Sequence, residues 1–169
     1  MPCPITNGAL TPNTGVPPKF SKLLKFIESN QGRHLIYSNY ENNGVIQLET
    51  FFHASPSLKD NFKIFETLDD LAWFESTLDE GKTKVLILQP KHSEGISVSK
   101  TKFYHILEPI EHYSKYNQIV GRAVRIDSHL HIRRLQDRKV IIMNWICKIP
   151  KSILNKIKDL FLHYKIFQN

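Results

Sequence analysis

Two arginines on one short segment define the chemistry open to this chain. Gln118-Ile119-Val120-Gly121-Arg122-Ala123-Val124-Arg125 has the form Q-x-x-G-R-x-x-R. On an α-helix, Gln118, Arg122 and Arg125 are offset by four and three residues, so they share one face. Two guanidiniums side by side repel each other unless an anion lies between them. A polyphosphate suits that place, because each planar fork can bind phosphate oxygens bidentately. Gly121 removes a side chain where a guest must come close. Without an anion, the same spacing describes a basic surface helix with ordinary salt bridges.

A second segment, Ser93-Glu94-Gly95-Ile96-Ser97, follows the apolar run 84–88. Such a run reads as a strand buried on both faces of a parallel sheet. A glycine loop beyond the carboxyl end of such a strand lies where these sheets bind ligands. The order adds weight: strand, S-E-G-I-S loop, a strand ending in Leu107-Glu108-Pro109, then Q-x-x-G-R-x-x-R.

These segments need a scaffold, and the hydrophobic pattern supplies one. Residues 1–16, rich in Pro, Thr and Asn, read as a flexible leader with no signal-peptide pattern. Pro17 and Pro18 open a helix through Phe20, Leu23, Leu24 and Ile27, and Gly32 closes it. A strand is expected over 33–40, a turn at Asn42-Asn43-Gly44, and a helix through Val45, Leu48, Phe51 and Phe52. A second strand is expected over 62–65. Asp69 or Asp70 caps a helix through Leu71, Phe74 and Leu78 that ends near Gly81. Then come the strand 84–88, a loop over 90–101, a strand over 103–107, a helix over 113–124 and a long strand over 140–149. An amphipathic helix opens at Pro150. Strands alternating with helices imply a three-layer α/β domain, its mostly parallel sheet flanked by helices on both faces.

The chain has 169 residues, 41% apolar and 11% aromatic, enough for one domain with a real core. Its longest apolar stretch, 140–147, is far below membrane-spanning length. Cys3 and Cys147 lack metal-type spacing, which fits a reducing, intracellular setting without a disulfide. The net charge of +7 favours an anionic partner, nucleic acid being the usual one. Residues 66–80 are purely acidic among charged types, whereas 112–139 carry seven Lys and Arg against Asp127 and Asp137.

With these motifs in order, the chain resembles the C-terminal RecA-like domain of superfamily 2 helicases. The S-E-G-I-S loop with His105-Ile106-Leu107-Glu108-Pro109 is similar to motif V (about 93–109), and Q-I-V-G-R-A-V-R-I to motif VI (118–126). His34-Leu35-Ile36-Tyr37-Ser38-Asn39-Tyr40 is similar to motif IV (about 34–40). The nearest group is that of large cytoplasmic DNA viruses, with the poxvirus-type early transcription factor ATPases and nucleoside triphosphatases. The resemblance covers about residues 17–150.

It implies that Arg125 is the arginine finger, Arg122 its phosphate-binding neighbour and Gln118 an organiser of the interdomain site. Glu94, Gly95, Ser97 and Gly121 would line the nucleotide side of the cleft. Ser38, Asn39, Tyr40 and Ser93 would meet the nucleic-acid backbone, with DNA favoured over RNA. Ser97 stands where Asn or Asp is common. The implied setting is cytoplasmic, or a viral factory or virion for a protein of viral origin. ATP with Mg²⁺ would be shared with a P-loop ATPase domain joined in cis or in trans, no metal being held by this chain.

A phosphate-cradling G-x-x-x-x-G-K-[ST] loop does not occur in these residues. Gly81-Lys82-Thr83 imitates its end, but Ser76 replaces the leading Gly and the residues before it read as helix. His129 and His131 lack a third ligand at metal spacing, His92 reads as a surface loop residue, and Trp73 and Trp145 as core. Three functions compete: the second half of an ATP-dependent nucleic-acid motor, a stand-alone nucleic-acid-binding or regulatory module, and a small-molecule phosphotransferase. The last would need a phosphate loop of its own.

Overall fold

The computed structural model describes residues 17–93, 95–124 and 139–147, with the side chains of His92 and Ser93 excepted. The leader, Glu94, Arg125, His129, His131 and the helix expected after Pro150 lie outside the described residues.

Helix α1 spans Pro18–Ser29. Pro17 precedes it and Pro18 opens it, where a missing N–H costs nothing because first-turn donors have no intrahelical partner. Phe20, Leu23 and Ile27 recur at helical spacing and are buried. Strand β1 (Gly32–Tyr37) starts at a glycine with φ +131°, a conformation that L side chains rarely adopt. After it, Asn42-Asn43-Gly44 form no turn: they lie in a π-helical turn, Glu41–Val45, that runs into α2 (Ile46–His53). Gly44 is there for steric reasons, since a Cβ at that position would stand 2.1 Å from the Ser38 hydroxyl oxygen.

Strand β2 is Phe62–Ile64 and helix α3 is Leu68–Glu75. Thr67 is its N-cap residue, and Asp70 reaches back to accept the Thr67 N–H at 3.0 Å. The helix ends at Glu75, six residues before Gly81. There Arg33 Nε donates to the Phe74 carbonyl (2.9 Å) and Lys84 Nζ to that of Trp73 (2.8 Å), cations meeting the negative end of a helix. Strand β3 is Thr83–Leu88, α4 is a single turn, Pro90–Ser93, within the expected loop, and β4 is Phe103–Ile106. Helix α5 is Tyr113–Val120 and β5 is Ile141–Asn144. Gly81 therefore stands in a turn before a strand, Lys82 pairs with Asp79 at 2.8 Å, and no helix N-terminus follows to receive phosphate.

The five strands run parallel in the order β2-β3-β1-β4-β5. Alternation along β1 and β3 divides the core in two. Ile36, Val85 and Ile87 pack with Phe20, Leu23 and Ile27 of α1 and Leu48 and Phe52 of α2. Leu35, Tyr37, Leu86 and Leu88 pack on the opposite face with Phe74 of α3 and Ile119 of α5. Two helical layers thus enclose the sheet, as in a three-layer RecA-like α/β fold.

Candidate functional site

The strand order decides where a ligand can enter. Strand β1 is followed by α2 on one face of the sheet, and its neighbour β4 is followed by α5 on the other. Connections that leave adjacent strands towards opposite faces open a crevice at their carboxyl ends. A groove of about 290 Å³ lies there, lined by Asn39, Tyr40, Pro90, Pro109, Ile110, Glu111, His112 and Lys115.

Glu108 ties the two sides of this crevice together. It follows β4, is 9% exposed, and accepts the Ser38 hydroxyl at 3.1 Å and the Asn39 N–H at 2.8 Å. Burial pushes its pKa up, while the Asn39 N–H, the Lys19 charge and the Ser38 hydroxyl oppose that shift. Lys19 itself donates to the Leu107 carbonyl, so the start of α1 is fastened to the end of β4. Ser38 Oγ also accepts the Tyr40 N–H at 3.3 Å, and the Tyr37 hydroxyl donates to Asn39 Oδ1 at 3.0 Å.

The second cluster joins the S-E-G-I-S loop to the end of α5. The Val98 N–H donates to the Arg122 carbonyl at 2.7 Å, and the Ser99 N–H to Glu75 Oε1 at 2.6 Å. Past Val120 the hydrogen bonds become mixed: Arg122 N–H reaches Ile119 and Ala123 N–H reaches Val120, each three residues back, while Val124 N–H reaches Val120, four back. The expected helix 113–124 is thus shorter, and Gln118 and Arg122 are separated by a tightened turn. Burial raises the pKa of the Tyr37 and Tyr104 hydroxyls, and the positive charge of Arg122 partly opposes this at both. The Tyr104 hydroxyl donates to the Ile119 carbonyl at 3.2 Å.

The structure therefore distributes the expected site residues unequally. Asn39 and Tyr40 wall the groove, whereas Ser38 is fully buried with its hydroxyl engaged by Glu108. Gly95 is exposed at φ +78° with nothing within 4 Å of a Cβ, and Ser97 is half-buried. Gln118 is exposed and Arg122 half-buried. Among the described residues, the atoms near a Cβ at Gly121 are carbonyls of its own helix, Asn117 at 3.0 Å and Gln118 at 3.7 Å, and φ is −59°. Ser93 closes α4.

Sequence reasoning missed a buried polar chain behind the site. His34 and His105, on β1 and β4, are fully buried and lie edge to edge, their rings within 7° of parallel and their centroids 5.3 Å apart. Trp145 Nε1–H donates to His105 Nδ1 (3.1 Å), leaving His105 Nε2–H for His34 Nδ1 (3.0 Å) and His34 Nε2–H for the Asn30 carbonyl (2.7 Å). Each neutral ring then has one donor and one acceptor satisfied. Burial holds the pKa of His34 down to about 4 and that of His105 to about 3. Trp145, expected as plain core, is half-buried and supplies the first donor. Alternation placed both histidines on an inward face, and that signal could have flagged them.

Among the described residues, no three His, Cys, Asp or Glu side chains are grouped to hold a metal ion, and no helix is long and apolar enough to cross a membrane.

Comparison with known proteins finds helicase relatives of this sequence. Three proteins of Acanthamoeba polyphaga mimivirus, each named "putative ATP-dependent RNA helicase", align with the chain. The first is 30% identical over 145 residues, 86% of this chain and 32% of the relative. The second is 30% identical over 142 residues, 73% of this chain and 24% of the relative. The third is 26% identical over 133 residues, 66% and 16% respectively. No family model matches the chain. The chain spans about a third of the length of the first relative, and these similarities support a helicase relationship.

Proposed function

We propose that the chain is the second RecA-like domain of an ATP-dependent nucleic-acid motor of the superfamily 2 type, working with a P-loop domain that supplies the other half of the ATP site. The observation that carries this reading is the Val98–Arg122 backbone bond of 2.7 Å, which brings the motif V and motif VI segments side by side across 24 residues of sequence. The alignment with a fraction of longer helicase relatives is what a single domain of such a motor would give.

The residues present fit ATP only as a shared ligand. They offer a half-buried Arg122 and an open glycine loop at Gly95, while Gly81-Lys82-Thr83 is committed to a turn and a strand. In this reading Arg125 brings positive charge to the transferred phosphoryl group, Arg122 binds phosphate, and Gln118 organises the interdomain site. Mg²⁺ is held with the nucleotide by the P-loop domain. Asn39, Tyr40 and the groove bind the nucleic-acid strand. The relatives' names point to RNA where the sequence alone favoured DNA, so RNA is the polymer proposed here.

The test combines the chain with its P-loop ATPase domain and measures hydrolysis stimulated by matched RNA and DNA oligonucleotides. Arg125→Ala is expected to lower turnover by about 10³–10⁵. Equal turnover by Arg125→Ala and wild type refutes the finger. A binding module without catalysis would give salt-dependent oligonucleotide binding and no stimulated hydrolysis with any P-loop partner.

A further inference from the structure

We propose that Glu108 is a positioning residue: by accepting the Ser38 hydroxyl and the Asn39 N–H, it sets the Asn39 side-chain amide and the Tyr40 ring in the groove wall that receives the nucleic-acid strand. This rests on the reading of the groove given above and adds a residue that makes no contact with the strand.

The need for a tie follows from the topology. The segments after β1 and β4 separate towards opposite faces, so the sheet's own hydrogen bonds do not hold them together beyond Leu107, whose N–H reaches the Tyr37 carbonyl at 3.0 Å. Glu108 is the next residue, and each of its oxygens takes a donor from the β1 side. Hydrogen bonds to an ionised acceptor are shorter and stronger than neutral ones, so two of them fix both the distance and the twist of the 38–40 segment. The Ser38 hydroxyl has one proton, and the carboxylate is its strongest acceptor. Its oxygen then accepts the Tyr40 N–H, which sets the next residue in turn. Gly44 closes the device from behind, because only a residue without Cβ lets the π-helical turn lie against Ser38.

The wall that results has a defined polarity. The Tyr37 hydroxyl occupies Asn39 Oδ1, so the Asn39 NH₂ group is the end left to donate to a guest. Lys115, His112 and Glu111 also line the groove. The Asn39 NH₂ and the Lys115 ammonium are donors in one lining, which suits an acceptor-rich guest such as a phosphodiester. Among the described residues, the charged and titratable groups coupled to Glu108 are Lys19 from α1, Tyr37 from β1 and Tyr40 from the loop after it, and Glu111 acts in turn on Tyr40. Lys19 opposes the upward shift that burial imposes on Glu108.

The experiment uses the whole chain with two independent readouts. The Asn39 backbone amide resonance is followed by ¹H–¹⁵N NMR through a pH titration without nucleic acid. Binding of a fluorescein-labelled single-stranded RNA 12-mer is followed by anisotropy at low salt. In wild type the Asn39 amide shifts as Glu108 titrates, with a midpoint above the ordinary carboxylate range. In Glu108→Gln that titration is absent, yet binding stays within about twofold, since a Gln oxygen can take the Asn39 N–H and its NH₂ the Ser38 oxygen. Glu108→Ala displaces the Asn39 resonance and weakens binding on the order of tenfold, one lost net hydrogen bond to a charged group.

Glu108→Ala binding as tightly as wild type with its Asn39 resonance displaced overturns the proposal, as does an unmoved resonance. Glu108→Gln falling as far as Glu108→Ala also overturns it. Should Glu108→Ala not fold, Ser38→Ala takes its place with the same expectations. A wild-type chain that binds no RNA or DNA oligonucleotide refutes the proposed function instead, and the Asn39 resonance alone then decides whether Glu108 sets the loop.

Discussion

Replacing Gly44 with alanine tests whether the Ser38 knot has the tight geometry described. A Cβ at residue 44 would lie 2.1 Å from Ser38 Oγ, 3.2 Å from Ser38 Cβ and 3.5 Å from Tyr40 Cβ. The hydroxyl cannot stay at 2.1 Å, and Ser38 is fully buried, so it must rotate away from Glu108. Losing a buried hydrogen bond to a charged acceptor costs about 1.5–3 kcal/mol. Residual overpacking adds about 1–3 kcal/mol, and the helical preference of Ala over Gly returns about 1 kcal/mol. Gly44→Ala should thus destabilise by about 1.5–5 kcal/mol. Ser38→Ala loses the same bond without a clash, about 1.5–3 kcal/mol.

In the double variant the offending oxygen is gone and the 3.2 Å contact is the tightest that remains. It should be no more than about 1 kcal/mol less stable than Ser38→Ala, a departure from additivity of about 0.5–4 kcal/mol. Urea unfolding of the four proteins, with equal slopes as a check on the two-state reading, measures this directly. Additivity to within about 0.5 kcal/mol would show that residues 38 and 44 do not share the contact.

Two other outcomes follow from buried groups. His34 and His105 have folded-state pKa values of about 4 and about 3, below the ordinary 6.5. The unfolded chain therefore binds more protons than the folded one below pH 6.5, and stability falls as pH drops through 6.5 towards 4. The slope should approach about 1.4 kcal/mol per pH unit for each histidine. Urea midpoints between pH 7 and 5 read it, and a flat profile in that window contradicts neutral buried rings. Tyr104→Phe removes the hydroxyl that donates to the Ile119 carbonyl and should cost about 1 kcal/mol. It should also speed hydrogen exchange at the Arg122 amide, which shares that carbonyl; unchanged exchange would mean the hydroxyl does not hold the end of α5.

The parts of the fold that sequence disclosed are those fixed by local pattern. Phe20, Leu23 and Ile27 at helical spacing gave α1, and the unbroken apolar run to Leu88 gave a strand enclosed on both faces. Alternation of such elements implied the parallel sheet, since parallel strands need helical crossovers that cover both faces. Local pattern misled where a residue answers to something distant. Asn42-Asn43-Gly44 carries turn chemistry, yet Gly44 is small because Ser38 lies against it. The periodicity through Val124 promised a longer α5, yet the chain tightens after Val120 where the Tyr104 hydroxyl meets Ile119.

The same division holds for the candidate site. Residue type and spacing singled out Gln118, Arg122 and Arg125, because the repulsion between neighbouring guanidiniums is a property of the segment itself. The G-x-x-x-x-G-K-[ST] pattern was likewise legible as not occurring in these 169 residues. Only the tertiary structure buried Ser38 and made Glu108 its partner, two residues 70 positions apart. Only it joined His34 to His105 across 71 positions and left Asn39 and Tyr40 as the groove wall. Hydrogen bonds between adjacent parallel strands depend on which strands become neighbours, and the order β3-β1-β4 is not written in any one segment.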